Sequence, residues 1–117
     1  MNHAEIHDFC MHLPGATRDI KWQTNEVFSV GGKMFCVMCI DLAQSEGVSL
    51  KADPARFLEL TDQPGIVPAP YLARHHWVRL ARPDVVSADV LTELLQTAYR
   101  LVRMKLPKKV RDGLPPF

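Results

Sequence analysis

The apolar run MFCVMCI at residues 34–40, which follows two consecutive glycines, is the feature that most constrains the fold. Gly31 and Gly32 both accept positive φ, as the tight turn of a β-hairpin requires. An unbroken apolar run of this length is typical of a strand at the centre of a sheet. We therefore predict a hairpin whose first strand spans residues 26–30 and whose second strand spans residues 33–42.

The rest of the chain alternates between short strand patterns and helical patterns. Strands are predicted by alternating or β-branched residues bounded by turn signals, at residues 19–22, 48–51 and 76–81. Helices are predicted by capping residues and apolar stripes, at residues 2–13, after Asp53-Pro54, and from the cap Ser87 to about residue 104. Residues 63–70 contain three prolines and a glycine, which indicates a loop with little regular structure.

This order of elements, α-β-β-β-β-α-β-α, predicts an α+β fold. Strands that cluster early in a chain form an antiparallel meander, and the helices then pack on one face of it. The 117 residues are predicted to form a single domain, residues 1–117, in which residues 105–117 are a basic C-terminal tail. We expect a monomer.

Composition excludes several classes of protein. No stretch approaches the roughly 18 apolar residues of a membrane helix, and the polar, acidic N-terminus excludes a signal peptide. Three cysteines are too few for a disulfide scaffold and indicate a reducing environment, so we expect a cytoplasmic protein without membrane contact.

The charge of the chain is unevenly distributed, although the net charge is only +1. Residues 71–117 hold nine of the fourteen basic residues but only four of the thirteen acidic ones. This asymmetry predicts a basic face, which attracts polyanions. A solvated helix end is the alternative explanation, because cations also interact favourably with a helix C-terminus.

No pattern in the chain predicts catalysis, a cofactor or a metal site. Cys36 and Cys39 have the spacing of a redox or zinc pair, but residues three apart on a strand point to opposite faces. His3 and His7 have helical spacing, yet a short terminal helix favours surface histidines over a metal site. No nucleophile elbow, phosphate loop or dinucleotide motif occurs, so we expect a protein that is not an enzyme.

The segment around the last predicted strand combines aromatic and basic side chains, namely Tyr71, Arg74, His75, His76, Trp77 and Arg79. Such side chains stack on bases and pair with phosphates in nucleic-acid complexes. On a strand, His75, Trp77 and Arg79 would share one face. The alternative places Trp77 or His76 in the packing of the sheet and leaves the arginines solvated, and one sequence does not decide between the two.

The chain resembles the MmcQ/YjbR family of small bacterial proteins, which are usually described as DNA-binding. The matching pieces span nearly the whole chain in order: PGA at 14–16, Trp22, VGGKMF at 30–35, SLK at 49–51, Pro54, PAPYL at 68–72, HWV at 76–78, Tyr99, Val102 and LPKK at 106–109. The resemblance implies a CyaY-like fold, also called a double-wing motif, in which helices pack on an antiparallel sheet. It transfers no catalytic residue.

We therefore predict a non-enzymatic domain that binds DNA, duplex or single-stranded, mainly through backbone phosphates and with low sequence specificity. The candidate contacts are Lys33, Lys51, Arg74, His75, Trp77, Arg79, Lys105, Lys108, Lys109 and Arg111. Two alternatives remain open. One is a protein-interaction module that uses the Pro-rich loop and the basic face, and the other is frataxin-like metal binding, for which Glu5, Asp8 and Asp19 offer few oxygen ligands.

Overall fold

The computed structural model describes residues 1–70 and 72–117. Tyr71, a member of the aromatic and basic segment, lies outside the described residues. The helices are α1 (His3–His12), α2 (Phe57–Thr61), α3 (Ala88–Met104) and α4 (Lys108–Asp112). The strands are β1 (Ala16–Lys21), β2 (Asn25–Val30), β3 (Lys33–Cys39), β4 (Val48–Lys51), β5 (Ile66–Pro68) and β6 (Trp77–Leu80).

The strands form one antiparallel sheet in the order β1-β2-β3-β4-β6-β5. The apolar run after the glycine turn lies in β3, an interior strand, as its composition predicts. Helices pack against the sheet, which confirms the predicted α+β fold and places the predicted elements in their expected order. Within the described residues, no helix is long and apolar enough to cross a membrane.

The three predicted helix caps, Asn2, Asp53 and Ser87, are present, and the Asp53 side chain accepts from the backbone N–H of Ala55. The Asn2 side chain accepts a hydrogen bond from the Glu5 backbone, and the Glu5 side chain accepts one from the Asn2 backbone, as in a capping box. The Ser87 side chain accepts from the backbone N–H of Val90 at the start of α3. Such caps satisfy backbone donors that the first turn of a helix leaves free.

The hydrophobic core lies on one face of the sheet, beneath the helices. Helix α3 packs on β3 and β4 and buries six side chains, which are Leu91, Leu94, Leu95, Ala98, Tyr99 and Val102. Helices α1 and α2 contribute Ile6, Cys10 and Leu60 to the same core. Cys36, Leu50 and Val78 lie side by side on β3, β4 and β6, and all three are fully buried. The expectation that helices cover one face is therefore met.

The Pro-rich loop is more regular than its composition predicts. Its residues 66–68 form the edge strand β5, which pairs with β6 so that Val67 lies opposite Arg79 and Pro68 opposite Val78. Proline has no backbone N–H to donate to a partner strand. It is tolerated in an edge strand because the position without a donor can face outward, where no strand needs it. The predicted loop is thus wrong at these three residues.

Two predicted strands have different ends in the structure. Strand β1 begins at Ala16 and ends at Lys21, so Trp22 belongs to the following turn. Strand β3 ends at Cys39, and Ile40 is half exposed beyond it. The interior of a strand follows its hydrophobic pattern, whereas its ends depend on the partner strand and the turn.

The start of the last strand also differs from the prediction. His75 ends a short 3₁₀ turn, Ala73–His75, and His76 adopts the left-handed conformation with φ of 62°. The left-handed residue breaks the extended chain, so β6 begins at Trp77. Trp77 and Arg79 share a face by strand alternation, but the prediction that His75 joins them is wrong.

The C-terminal segment is folded against the rest of the chain. Helix α4 occupies part of the predicted tail, and the Arg103 guanidinium donates to the Pro115 carbonyl at 2.6 Å. A Cβ at Gly31 would approach the side chains of Leu106 and Val110 to 2.5 and 3.1 Å. The absence of a side chain at Gly31 therefore lets this segment pack on the β2–β3 turn.

Candidate nucleic-acid interface

Three lysines that are distant in sequence line one groove at one end of the sheet. Lys33 begins β3 and Lys51 ends β4, and antiparallel pairing places these two positions at the same end. Lys105 follows α3 as its C-cap. The three lysines, with Trp77 at the start of β6, border a groove of about 300 Å³ that we call the lysine groove.

The electrostatics of the groove affect Lys51. Partial burial lowers the pKa of the Lys51 ammonium, and the nearby positive charge of Lys105 lowers it further. The Lys51 Nζ atom donates a hydrogen bond to the His75 carbonyl at 3.4 Å. A positive charge in this position is therefore less stable than in water, and an added anion would stabilise it.

Within residues 1–70 and 72–117, no lysine forms an ion pair with a carboxylate. The ion pairs in the described residues use arginines or a histidine instead: Arg18 with Glu26, Arg56 with Glu59 and Glu93, Arg82 with Asp84, and His7 with Asp8. The groove thus combines three cations, none of which is paired with a carboxylate of the described residues.

Trp77 is a packing residue at the border of the lysine groove. Its side chain is 5% exposed, and it lines the lysine groove beside Leu72 and Leu106. His76 is half-buried, with its ring 5.4 Å from that of Phe57 in an edge-on arrangement. Of the two sequence interpretations, the structure supports packing for both residues. An indole this deeply buried does not offer its face to a stacked base.

Further predicted cations flank the groove. Pro107 lines it, and α4 begins at the next residue, so that the exposed side chains of Lys108, Lys109 and Arg111 extend the positive surface. Arg74 and His75 are exposed on the 3₁₀ turn, and the His75 carbonyl accepts the hydrogen bond from Lys51. The structure thus brings Lys33, Lys51, Lys105 and Trp77 directly together. The other five, which are Arg74, His75, Lys108, Lys109 and Arg111, lie on adjacent segments.

Arg79 is the one predicted residue that lies away from the groove. It is half-buried on the sheet face opposite the helices, where its Nη2 atom donates to Ser45 Oγ at 2.8 Å. It lines a separate cleft, which adjoins the lysine groove because Met34 and Leu72 border both. Nothing in the sequence spacing of Ser45 connects it to Arg79.

Cys36 is placed where thiol chemistry is suppressed. Cys36 is fully buried, and the hydrogen bond between its thiol and Cys10, together with burial, raises the pKa of that thiol well above the usual value. The thiolate is the reactive form, so Cys36 is inert. Cys39 lies on the other face of β3, as the spacing on a strand predicts, and it is half-buried there.

The predicted histidine pair is engaged in other contacts. The His3 Nε2 atom lies 3.0 Å from the Glu46 carbonyl oxygen, and the His7 Nδ1 atom lies 3.1 Å from Asp8 Oδ1. In the part of the chain that the structure describes, no three His, Cys, Asp or Glu side chains form a group that could hold a metal ion. The frataxin-like alternative therefore gains no support from the arrangement of these side chains.

Comparisons with known proteins agree with the fold. The chain is similar to a crystal structure of a Deinococcus radiodurans protein with the domain DUF419, at 31% identity and a TM-score of 0.84, covering 97% of this chain and 89% of that one. It is also similar in fold to a crystal structure of a Pseudomonas syringae protein, at 20% identity and a TM-score of 0.72, covering 87% and 99% of the two chains.

No curated protein matches the sequence significantly. The model of the YjbR family matches residues 11–101, which include the whole sheet and most of α3. The match extends over more than half of the chain and agrees with the resemblance carried by the sequence pieces. The chain belongs to the YjbR family.

Proposed function

We propose that this protein is a non-enzymatic nucleic-acid-binding domain that holds backbone phosphates in the lysine groove. One observation carries the proposal: Lys33, Lys51 and Lys105 come from three different elements, border one groove, and have no carboxylate partner among the described residues. Cations in such an arrangement attract a polyanion and release its counterions on binding.

The lowered pKa of Lys51 supports an anionic partner. Its ammonium is disfavoured by burial and by the charge of Lys105, and a phosphate between the two would offset both effects. Lysines act as point charges and bind phosphate oxygens without demanding one orientation. This chemistry suits contacts to a backbone whose phosphates repeat regardless of sequence.

The surroundings of the groove favour low sequence specificity. The exposed cations of α4 continue the positive surface, whereas Trp77 is too deeply buried to stack on a base. Contacts to phosphate fix the position of a nucleic acid but carry no sequence information. The proposal therefore assigns Lys33, Lys51, Lys105, Lys108, Lys109 and Arg111 to the backbone, flanked by Arg74 and His75.

The proposal includes a monomer acting in the cytoplasm, with the double-wing arrangement that the family resemblance implies. Three free cysteines support a reducing compartment.

The test compares two variants that each lose three positive charges. The groove variant carries Lys33→Gln, Lys51→Gln and Lys105→Gln. The matched control carries Arg18→Gln, Arg56→Gln and Arg82→Gln, whose guanidiniums form surface ion pairs and do not line the groove. Fluorescence anisotropy measures binding to labelled random duplex and single-stranded DNA between 50 and 300 mM salt, and thermal melts check that both variants fold.

The wild type should bind with Kd on the order of 10⁻⁴ to 10⁻⁶ M at physiological salt. The groove variant should lose affinity for every DNA alike, and its slope of log K against log salt should fall by up to about 3. The control should stay close to the wild type. Equal losses of affinity in both variants would mean that binding depends on net charge and not on the groove. No binding by the wild type at low salt would refute the proposal.

A further inference from the structure

A larger cleft lies on the sheet face opposite the helices. Its volume is about 750 Å³, within the range of small-molecule sites. Val37, Ser49 and Arg79 lie side by side across β3, β4 and β6 and form its floor. Much of its lining is apolar, including Met34, Val37 and Leu72, and its polar side chains are Asn25, Gln44, Ser45, Ser49 and Arg79.

Arg79 supplies a fixed positive charge in this cleft. Ser45 Oγ accepts from one of the five N–H groups of the guanidinium, and the others form no hydrogen bond with the described residues. The guanidinium lies against Gly47, where an added Cβ would come within 2.5 Å of Nε. Among the described residues that line the cleft, none is an aspartate or glutamate, and Arg79 forms no ion pair with any described residue.

Trp22 supplies an exposed aromatic surface on the cleft. Its side chain is 63% exposed, and its backbone is left-handed, with φ of 52°. The next residue, Gln23, is also left-handed, with φ of 68°. This conformation is unfavourable for a bulky residue, and such strain is concentrated at ligand-binding sites. The turn between β1 and β2 therefore presents an indole to the cleft at a conformational cost.

We propose that this cleft binds a small aromatic monocarboxylate. The carboxylate pairs with the Arg79 guanidinium, and the aromatic body lies on the apolar floor against Trp22. A guanidinium matches the two oxygens of a carboxylate, and a single cation compensates a single negative charge. The site is separate from the lysine groove, and its ligand is distinct from a nucleic acid.

The test uses 2-naphthoate as the probe and 2-naphthamide as its neutral counterpart of the same shape. Isothermal titration measures both affinities, and ¹H–¹⁵N spectra locate the residues whose signals shift. We expect 2-naphthoate to bind the wild type at least tenfold more tightly than 2-naphthamide. The signals of Arg79, Ser49 and Trp22 should shift, whereas those of Lys33 and Lys105 should stay unchanged.

Three variants separate the roles of the residues. Arg79→Gln should reduce 2-naphthoate affinity about tenfold and leave 2-naphthamide unchanged, because it removes only the charge contact. Gly47→Ala keeps the arginine but displaces its guanidinium, and it should produce the same selective loss. Arg82→Gln removes an arginine that does not line the cleft and should change neither affinity.

Three results would overturn the proposal: no binding of 2-naphthoate up to millimolar concentration, equal affinities for the two probes, or shifts confined to residues outside the cleft. None of these results would test the DNA-binding proposal for the lysine groove, since the DNA experiment uses variants of other residues. Loss of DNA binding in the groove variant would likewise leave the naphthoate result unaffected. Failure of one proposal is therefore distinguishable from failure of the other.

Discussion

The two faces of the sheet, although formed by the same strands, differ in burial and polarity. On the covered face, Cys36, Leu50 and Val78 are fully buried beneath the helices. On the uncovered face, Val37, Ser49 and Arg79 lie side by side in β3, β4 and β6 and are half-buried, and two of them, Ser49 and Arg79, are polar. Burial of apolar area stabilises the fold mainly on the first face. The second face is left free to carry charge and to form a cleft.

The largest expected effect tests whether stability resides on the covered face. Leu94 on α3 is 3% exposed, and Leu94→Ala should lower the free energy of unfolding by about 2–5 kcal/mol, through lost burial and the cavity left behind. Leu58→Ala makes the same chemical change at a position that is 81% exposed, and it should cost less than about 0.5 kcal/mol. Urea denaturation measures both. Similar losses at the two positions would contradict the contrast between buried and exposed positions.

A smaller effect concerns the end of the sheet that supports the lysine groove. Gly31 and Gly32 are both left-handed, with φ of 57° and 81°, but only a Cβ at Gly31 would collide with Leu106 and Val110. Alanine at either position should cost about 1 kcal/mol of backbone strain. Gly31→Ala should cost about 1–3 kcal/mol more from overpacking.

Urea denaturation measures the free energy of unfolding of the two glycine variants. Their difference gives the cost of overpacking at Gly31, because the backbone strain is common to both. Equal losses would mean that the C-terminal segment is not held against the turn between β2 and β3.

The smallest effect is a shift in the titration of Lys51. Its pKa is lowered from the usual value of 10.5, by burial first and by Lys105 second, so Lys105→Gln should raise it partway back. The sign for stability follows from linkage: the unfolded chain binds the proton more tightly, so stability should rise with pH between the lowered pKa and the usual one. NMR titration of the Lys51 side chain measures the shift.

In the Lys105→Gln variant, the rise in stability should be smaller and should begin at higher pH. As a control, Lys21→Gln removes a lysine that does not border the groove and should leave the Lys51 titration unchanged. If Lys105→Gln also has no effect, the two ammonium groups do not interact.

The sequence was sufficient to predict local structure wherever one short-range signal dominated. The Asn2–Glu5 capping box and the glycine turn depend on neighbouring residues and occur as predicted. The predicted apolar stripe of α3 is confirmed at Leu91, Leu94, Leu95, Ala98 and Val102, whereas its predicted members Val90 and Leu101 are exposed and half-buried, and the buried Tyr99 was not predicted. Strand β5 was missed because pairing with β6, which comes from a later part of the chain, overrides the effect of its prolines. The left-handed His76 gave no signal, since its conformation depends on the turn before β6.

The candidate site also divides into features that the sequence predicts and features that depend on distant parts of the chain. The chemistry of the basic residues, their concentration in the second half of the chain and the family resemblance are all visible in the sequence. Which of them meet is not visible, because Lys33, Lys51 and Lys105 are brought together by strand register and by the end point of α3. Arg79 is only two residues from Trp77, yet it lines a different cavity.

The sequence by itself determined the class of fold, the helix caps, the apolar faces and the excess of positive charge near the C-terminus, because these follow from composition and from spacing within an element. Only the tertiary structure decided that Trp77 is buried, that Trp22 is exposed and strained, and that three lysines border one groove without carboxylate partners in the described residues. Burial and charge pairing are properties of groups that are distant in sequence, and only the packing of the whole chain determines which of those groups are neighbours.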